Sequence, residues 1–143
     1  MKIIIHRGTH QIGGSAVEIS TKTTRIILDM GDELGLEKYY MPCPLVIDGV
    51  TEGTSNCDGV LISHYHGDHL GQLKAVLSDI PIYVGTLSKA IALILSEHKD
   101  SQLYLRLLGA NTFSGGNVFT IGDIRIRPLV IDHSAADSYM FVV

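Results

Sequence analysis

Gly59-Val60-Leu61-Ile62-Ser63-His64-Tyr65-His66-Gly67-Asp68-His69-Leu70 is the stretch on which both fold and chemistry turn. Its first five residues are a short apolar run opened by a glycine, which reads as a buried strand. The end of that strand delivers three of the chain's seven histidines and one aspartate within six residues. His64 and His66 stand two apart. On a helix they would diverge by about 200°, whereas from a loop both can reach one cation. Asp68 and His69 follow at the turn into a helix, where a positive φ at Gly67 would fold the loop back and aim them at a second cation. Neutral imidazoles with a carboxylate are the ligand set expected of zinc at a catalytic site, with manganese or iron as alternatives. Two such ions about 3.5–4 Å apart would lower the pKa of a bridging water and clamp an oxyanion.

Outward from this stretch the pattern alternates strands and helices. Ile3–Ile5 and Ala16–Ile19 read as antiparallel strands around a glycine-bearing loop, and Thr24–Leu28 as a third strand ending at Asp29. Gly31–Asn56, with Gly35, Pro42, Pro44, Gly49 and Gly53, reads as a long loop. After the histidines, Leu70, Leu73, Val76 and Leu77 at helical spacing predict a helix to Ser78, ended by Pro81. Ile82–Val84 is a strand. Leu87, Ala90, Ile91, Ile94 and Leu95 predict an amphipathic helix over Thr86–Glu97, and Leu103–Leu108 a shorter one stopped at Gly109. Gly115-Gly116 is a turn, Ile124–Leu129 a strand leading to His133, and Tyr139–Val143 a last strand. The order is that of an α/β layered fold.

The 143 residues are 45% apolar and 18% charged, a composition that folds around one core. A net charge of −4, with scattered Lys and Arg, supplies no basic field of the kind that tracks a phosphate backbone. Local binding of a scissile phosphate at a metal remains compatible with it. Cys43 and Cys57 lack metal or disulfide-framework spacing and read as reduced thiols. No apolar run reaches a membrane span or a signal-peptide core, so the expected location is cytoplasmic with no membrane partner. His6, His10 and His98 stay outside the ligand set, and Asp132 reads as a loop hydrogen-bond acceptor.

His64-x-His66-x-Asp68-His69 resembles the H-x-H-x-D-H signature of the metallo-β-lactamase superfamily. Gln11–Ser15 with Val17-Glu18 is similar to the glycine-turn hairpin that opens many members, Asp29 stands where the family has an aspartate ending an early strand, and His133 where it has its next histidine ligand. The resemblance implies the N-terminal portion of an αββα sandwich, a mixed, largely antiparallel sheet with flanking helices. Residues 1–143 would form a single domain lacking its C-terminal half. It further implies that His64, His66 and His133 hold one zinc and that Asp68 and His69 contribute to a second. Asp68 would hold or deprotonate the attacking water, and Asp29 would fix the ligand loop from behind by hydrogen bonds.

His133-Ser134-Ala135-Ala136-Asp137 resembles the His-Ser-x-x-Asp segment of ribonuclease J-like and other β-CASP nucleases, which implies an RNA or DNA phosphodiester as substrate and Ser134 as a substrate-binding candidate. The alternatives are a thioester or small-molecule ester, or a metal-binding or interaction module without catalysis, because the family's bridging aspartate and final histidine do not follow His133. On this reading the chain alone is inactive or weakly active. It would associate through the apolar Tyr139–Val143 strand with a second copy or with the missing half of the same enzyme.

Overall fold

The strand ending in Ile62 lies inside a mixed sheet. In the computed structural model, which describes residues 1–34 and 43–143, that sheet runs in chain order. Its strands are β1 (Lys2–Arg7), β2 (Ala16–Ser20), β3 (Arg25–Leu28), β4 (Gly59–Ile62), β5 (Ile82–Gly85) and β6 (Asn111–Phe113). The first three pair antiparallel and the rest parallel. A second, antiparallel sheet contains β7 (Phe119–Ile121), β8 (Ile124–Val130) and β9 (Tyr139–Val142). The helices are α1 (Gly67–Leu70), α2 (Thr86–Ser96) and α3 (Ser101–Leu108).

β4 is apolar throughout because it is covered on both faces. Val60 and Ile62, with Ile27, Ile82 and Val84, join the cluster that includes Leu73, Ala92 and Leu107 of the helical layer. Leu61, with Ile19 and Ile26, joins Ile121, Ile124 and Ile126 of the second sheet. Each such fully buried aliphatic side chain contributes about 1.5–3 kcal/mol, so the strand that presents the histidines is anchored from two sides.

Several sequence expectations need correction. The helix after the histidines is a single α-turn that passes into a 3-10 segment at Gly71–Ala75, and Val76 is already extended. Leu70, Leu73 and Val76 are all buried at intervals of three, which is the period of a 3-10 helix. The Leu77 amide donates instead to the Val50 carbonyl at 2.8 Å. Gly67 does not take a positive φ. It opens α1, and the positive values near the site belong to Gly13, Gly14 and Asp29.

The amphipathic reading of α2 has its faces reversed. Ser88, Ala92 and Ser96 point inward, while Ile94 is 74% exposed and Leu87 and Leu95 are about half exposed. Small residues bring the helix close to its neighbours, and the buried hydroxyls stay satisfied: Ser96 Oγ donates to the Ala92 carbonyl at 2.7 Å and Ser88 Oγ to the Asp137 carbonyl at 3.0 Å. Within the loop at 43–56, Leu45, Ile47 and Val50 are buried core residues, so this excursion packs under the sheet. Gly35 and Pro42, on which the loop reading also leaned, lie outside the described residues.

Candidate metal centre

Two segments from distant parts of the chain converge at the end of β4. His64, buried, and His66, partly buried, come from the loop between β4 and α1, and His133, exposed, from the loop between β8 and β9. One ligand nitrogen of each lies within 4.8 Å of the others. The Nε2 atoms of His64 and His133 are 3.1 Å apart. Nitrogens bound tetrahedrally to one zinc at about 2.0–2.1 Å sit about 3.3 Å apart, so the donor set fits that ion and the His64–His133 pair is close to its spacing.

The remaining expected ligands are adjacent but belong to a different group. His69 stacks obliquely on His64 with ring centroids 4.0 Å apart, and its Nε2 is 3.4 Å from Asp68 Oδ2. Asp68 is held by its backbone, since its carbonyl accepts from the amides of Gly14 and Ser15 at 3.0 and 3.3 Å. The glycine turn after β1 is thereby pressed onto the ligand loop.

Asp29 lies behind the histidines with φ of 60°, a left-handed conformation that aspartate tolerates better than most residues. Its Oδ1 accepts from Ser63 N–H at 2.7 Å, and its Oδ2 from Ser63 Oγ–H at 2.9 Å and from His69 Nδ1–H at 2.8 Å. With that hydroxyl proton spent on Asp29, Ser63 Oγ accepts from His64 Nδ1–H at 3.0 Å. The network thus assigns tautomers in which Nε2 of both His64 and His69 carries a lone pair for a ligand. Ser63 joins Asp29, His64 and His69, a role the sequence reading missed because a strand-ending serine carries no signal of its own.

Burial, followed by the neighbouring imidazoles of His69, His133 and His66, pushes His64 down to about 4. It is therefore neutral at any ordinary pH. Burial acts on His69 in the same direction, but the hydrogen bond and charge of Asp29, with Asp68, outweigh it and the net shift is upward.

An Asp29→Asn variant keeps an acceptor for one side only and turns an NH2 toward the donors it previously accepted. Affinity for zinc should fall about 10–100-fold while the fold persists, as happens when a partner of metal ligands is lost. Chelator-competition titration of the variant checks this, and an Asp29 oxygen found within bonding distance of the metal would contradict it.

Ser134 and Asp132 are exposed beside His133. His6 is tied to Glu18 at 3.0 Å, where Arg25 also binds at 2.8 Å, forming a structural ion cluster; His10 and His98 are exposed. Cys43 is exposed and Cys57 buried, both unpaired.

No family model matches the chain. It is 34% identical over 98 residues to the probable RNase MJ4 of Methanocaldococcus jannaschii, covering 66% of this chain and 21% of that protein. It is 24% identical over 132 residues to the exodeoxyribonuclease YycJ of Bacillus anthracis, covering 90% and 45%. It is 30% identical over 105 residues to a UPF0173 metal-dependent hydrolase of Thermus thermophilus, covering 73% and 42%. The chain thus spans less than half the length of each of these relatives.

Among solved structures, a protein of unknown function from Enterococcus faecalis V583 matches with a TM-score of 0.80 at 20% identity, over 97% of this chain and 39% of that one. MEM-A1, a subclass B3 metallo-β-lactamase from a soil metagenome library, matches with a TM-score of 0.58 at 15% identity, over 90% and 50%.

Proposed function

From the premise that the chain has the metallo-β-lactamase fold and resembles the nuclease-named hydrolases of that superfamily, we propose that it carries the metal-binding half-site of a phosphodiesterase acting on RNA or DNA. The observation that carries this reading is the convergence of His64, His66 and His133 within 4.8 Å. Zinc is the metal that three neutral imidazoles favour. When bound, it would supply a lowered pKa to a coordinated water and positive charge for a developing oxyanion.

The chain's own groups then divide the work. Ser63 and Asp29 hold His64 and His69 in the tautomers that offer Nε2. Asp68, in the first turn of α1 with its carboxylate near His69, is read as the group that takes a proton from an attacking water, and His69 with Asp68 as the start of a second cation position. Ser134, exposed next to His133, faces solvent where a phosphodiester oxygen would approach. Residues 1–143 are read as one metallo-β-lactamase-type unit. Two unpaired thiols accord with a reducing compartment such as the cytoplasm, and among the described residues no helix is long and apolar enough to cross a membrane.

The test is cleavage of single-stranded RNA and DNA oligonucleotides by the full-length protein supplied with zinc or manganese, with a thioester as comparison substrate. Loss of a positioned acid–base group costs about 10²–10⁴ in rate. Asp68→Asn should therefore lower kcat for the oligonucleotide by at least about 100-fold. Equal activity of wild type and variant, or turnover of the thioester alone, would refute the assignment.

A further inference from the structure

We infer that Asp137 is a positioning residue for His133, setting that ligand by docking its loop onto the N-terminus of α2; the inference rests on the metal reading above. Asp137 Oδ2 accepts from the amides of Leu87 and Ser88 at 2.8 and 2.9 Å, two of the donors that a helix leaves without partners in its first turn. Gly85, which precedes α2, makes no side-chain cap of its own. The capping group therefore comes from a segment about 50 positions away in sequence. The other oxygen, Oδ1, accepts from the Tyr139 hydroxyl. Ser88 Oγ closes the connection by donating to the Asp137 carbonyl at 3.0 Å.

The rest of the loop is built so that this one carboxylate decides where His133 sits. Ile131 N–H donates to the Ser138 carbonyl at 3.0 Å, closing the loop at its base, and Ser138 Oγ donates to the Ala135 carbonyl at 2.7 Å. Tyr139 N–H donates to the Ser63 carbonyl at 3.0 Å, which fastens the loop's exit to the serine that orients His64. Asp137 has φ of 62°. It and Asp29 are the two non-glycine residues with positive φ among those described, and each stands behind one half of the histidine set. A Cβ at Gly85 would lie 2.5 Å from Asp137 Oδ2 and 2.6 Å from Tyr139 Cε2, so the glycine is what lets the carboxylate reach the helix. His133 itself is exposed and makes no side-chain hydrogen bond among the described residues except to His64. Its position is inherited from the loop.

Four variants separate this role from plain helix capping. Asp137→Gly keeps the positive φ and removes the carboxylate. Asp137→Asn retains an acceptor for the helix and a polar partner for Tyr139. Tyr139→Phe removes only the hydroxyl on Oδ1. Asp100→Ala removes the side-chain cap of α3, where Oδ1 accepts from Leu103 N–H at 3.1 Å, far from His133 in the chain. Zinc affinity by chelator competition and the visible bands of the cobalt-substituted protein are read for each, alongside thermal melting without metal. Asp137→Gly should weaken zinc about 10–100-fold, the range for partners of ligands, and lower the intensity of the cobalt bands as one imidazole is lost. Asp137→Asn should restore most of the affinity, and Tyr139→Phe should fall between.

Asp100→Ala should melt earlier yet bind zinc as wild type does. Wild-type affinity and spectrum in Asp137→Gly, or an equal loss in Asp100→Ala, would overturn the inference. Should Asp137→Gly not fold, unchanged zinc affinity in Tyr139→Phe would overturn it instead. Zinc binding by wild type that His133→Ala leaves untouched would overturn the three-histidine reading itself, which is a distinct outcome.

Discussion

His133→Ala should lose zinc affinity by at least about 100-fold while folding normally. His133 is exposed, so its removal leaves no cavity and exposes no buried donor. Its contribution is chemical. A structural zinc site is worth about 10–16 kcal/mol in apparent binding free energy, and deleting one of three imidazoles removes a large share of it. In the metal-free protein its Nε2–H donates to the lone pair on His64 Nε2 at 3.1 Å, a hydrogen bond that the variant loses. The metal-free variant should therefore melt at most a few degrees below the wild-type temperature, since one such hydrogen bond contributes about 0.5–1.5 kcal/mol. Metal content after dialysis against a weak chelator, read beside circular dichroism, checks both halves. Unchanged stoichiometry and affinity would remove His133 from the ligand set.

Gly31→Ala should be the most damaging glycine-to-alanine change among the described residues. A Cβ there would fall on the Asp68 carbonyl and lie 2.8 Å from the His69 amide nitrogen. Both neighbours are backbone, so no rotamer change relieves the clash. The surrounding hydrogen bonds leave little room to shift: Met30 N–H to the His69 carbonyl at 2.7 Å, Asp32 N–H to the Gly67 carbonyl at 2.9 Å, and the Gly31 carbonyl taken by the Arg7 guanidinium. Overpacking of this kind costs about 1–3 kcal/mol and more where the backbone must move. A loss of about 3 kcal/mol would lower the melting temperature by roughly 10 °C in a domain of this size. Zinc affinity should fall with it, since Asp68 and His69 are the residues displaced. Differential scanning calorimetry of the metal-free variant decides the point, and a melting temperature within about 2 °C of wild type would show that the loop gives way more easily than its contacts imply.

These two positions mark what a sequence can and cannot disclose here. The histidine cluster was legible because H-x-H-x-D-H is dense and sits at the end of an apolar strand, and the resemblance it carries extended to the fold. β4, buried on both faces, showed as an uninterrupted apolar run, and α3 showed by its spacing and its glycine stop. β6 and β7 were missed because each has three residues, too few for alternation to register. The orientation of α2 was misleading for a physical reason. Close approach selects serine and alanine, so the largest apolar side chains are not the buried ones. Gly31 and Ser63 left no mark, and Asp137 showed only as the end of the His-Ser-x-x-Asp segment, since what each does depends on contacts with segments distant in the chain: the backbone of Asp68 against Gly31, the Asp29 carboxylate on Ser63, and the first amides of α2 on the Asp137 carboxylate.

The most direct test of the three-histidine centre is anomalous X-ray diffraction at the zinc edge from crystals of the zinc-loaded protein. The expected result is a peak bonded at about 2.0–2.1 Å to nitrogens of His64, His66 and His133 together. A peak held by His69 and Asp68 without His133, or one at the His6–Glu18 pair, would contradict it.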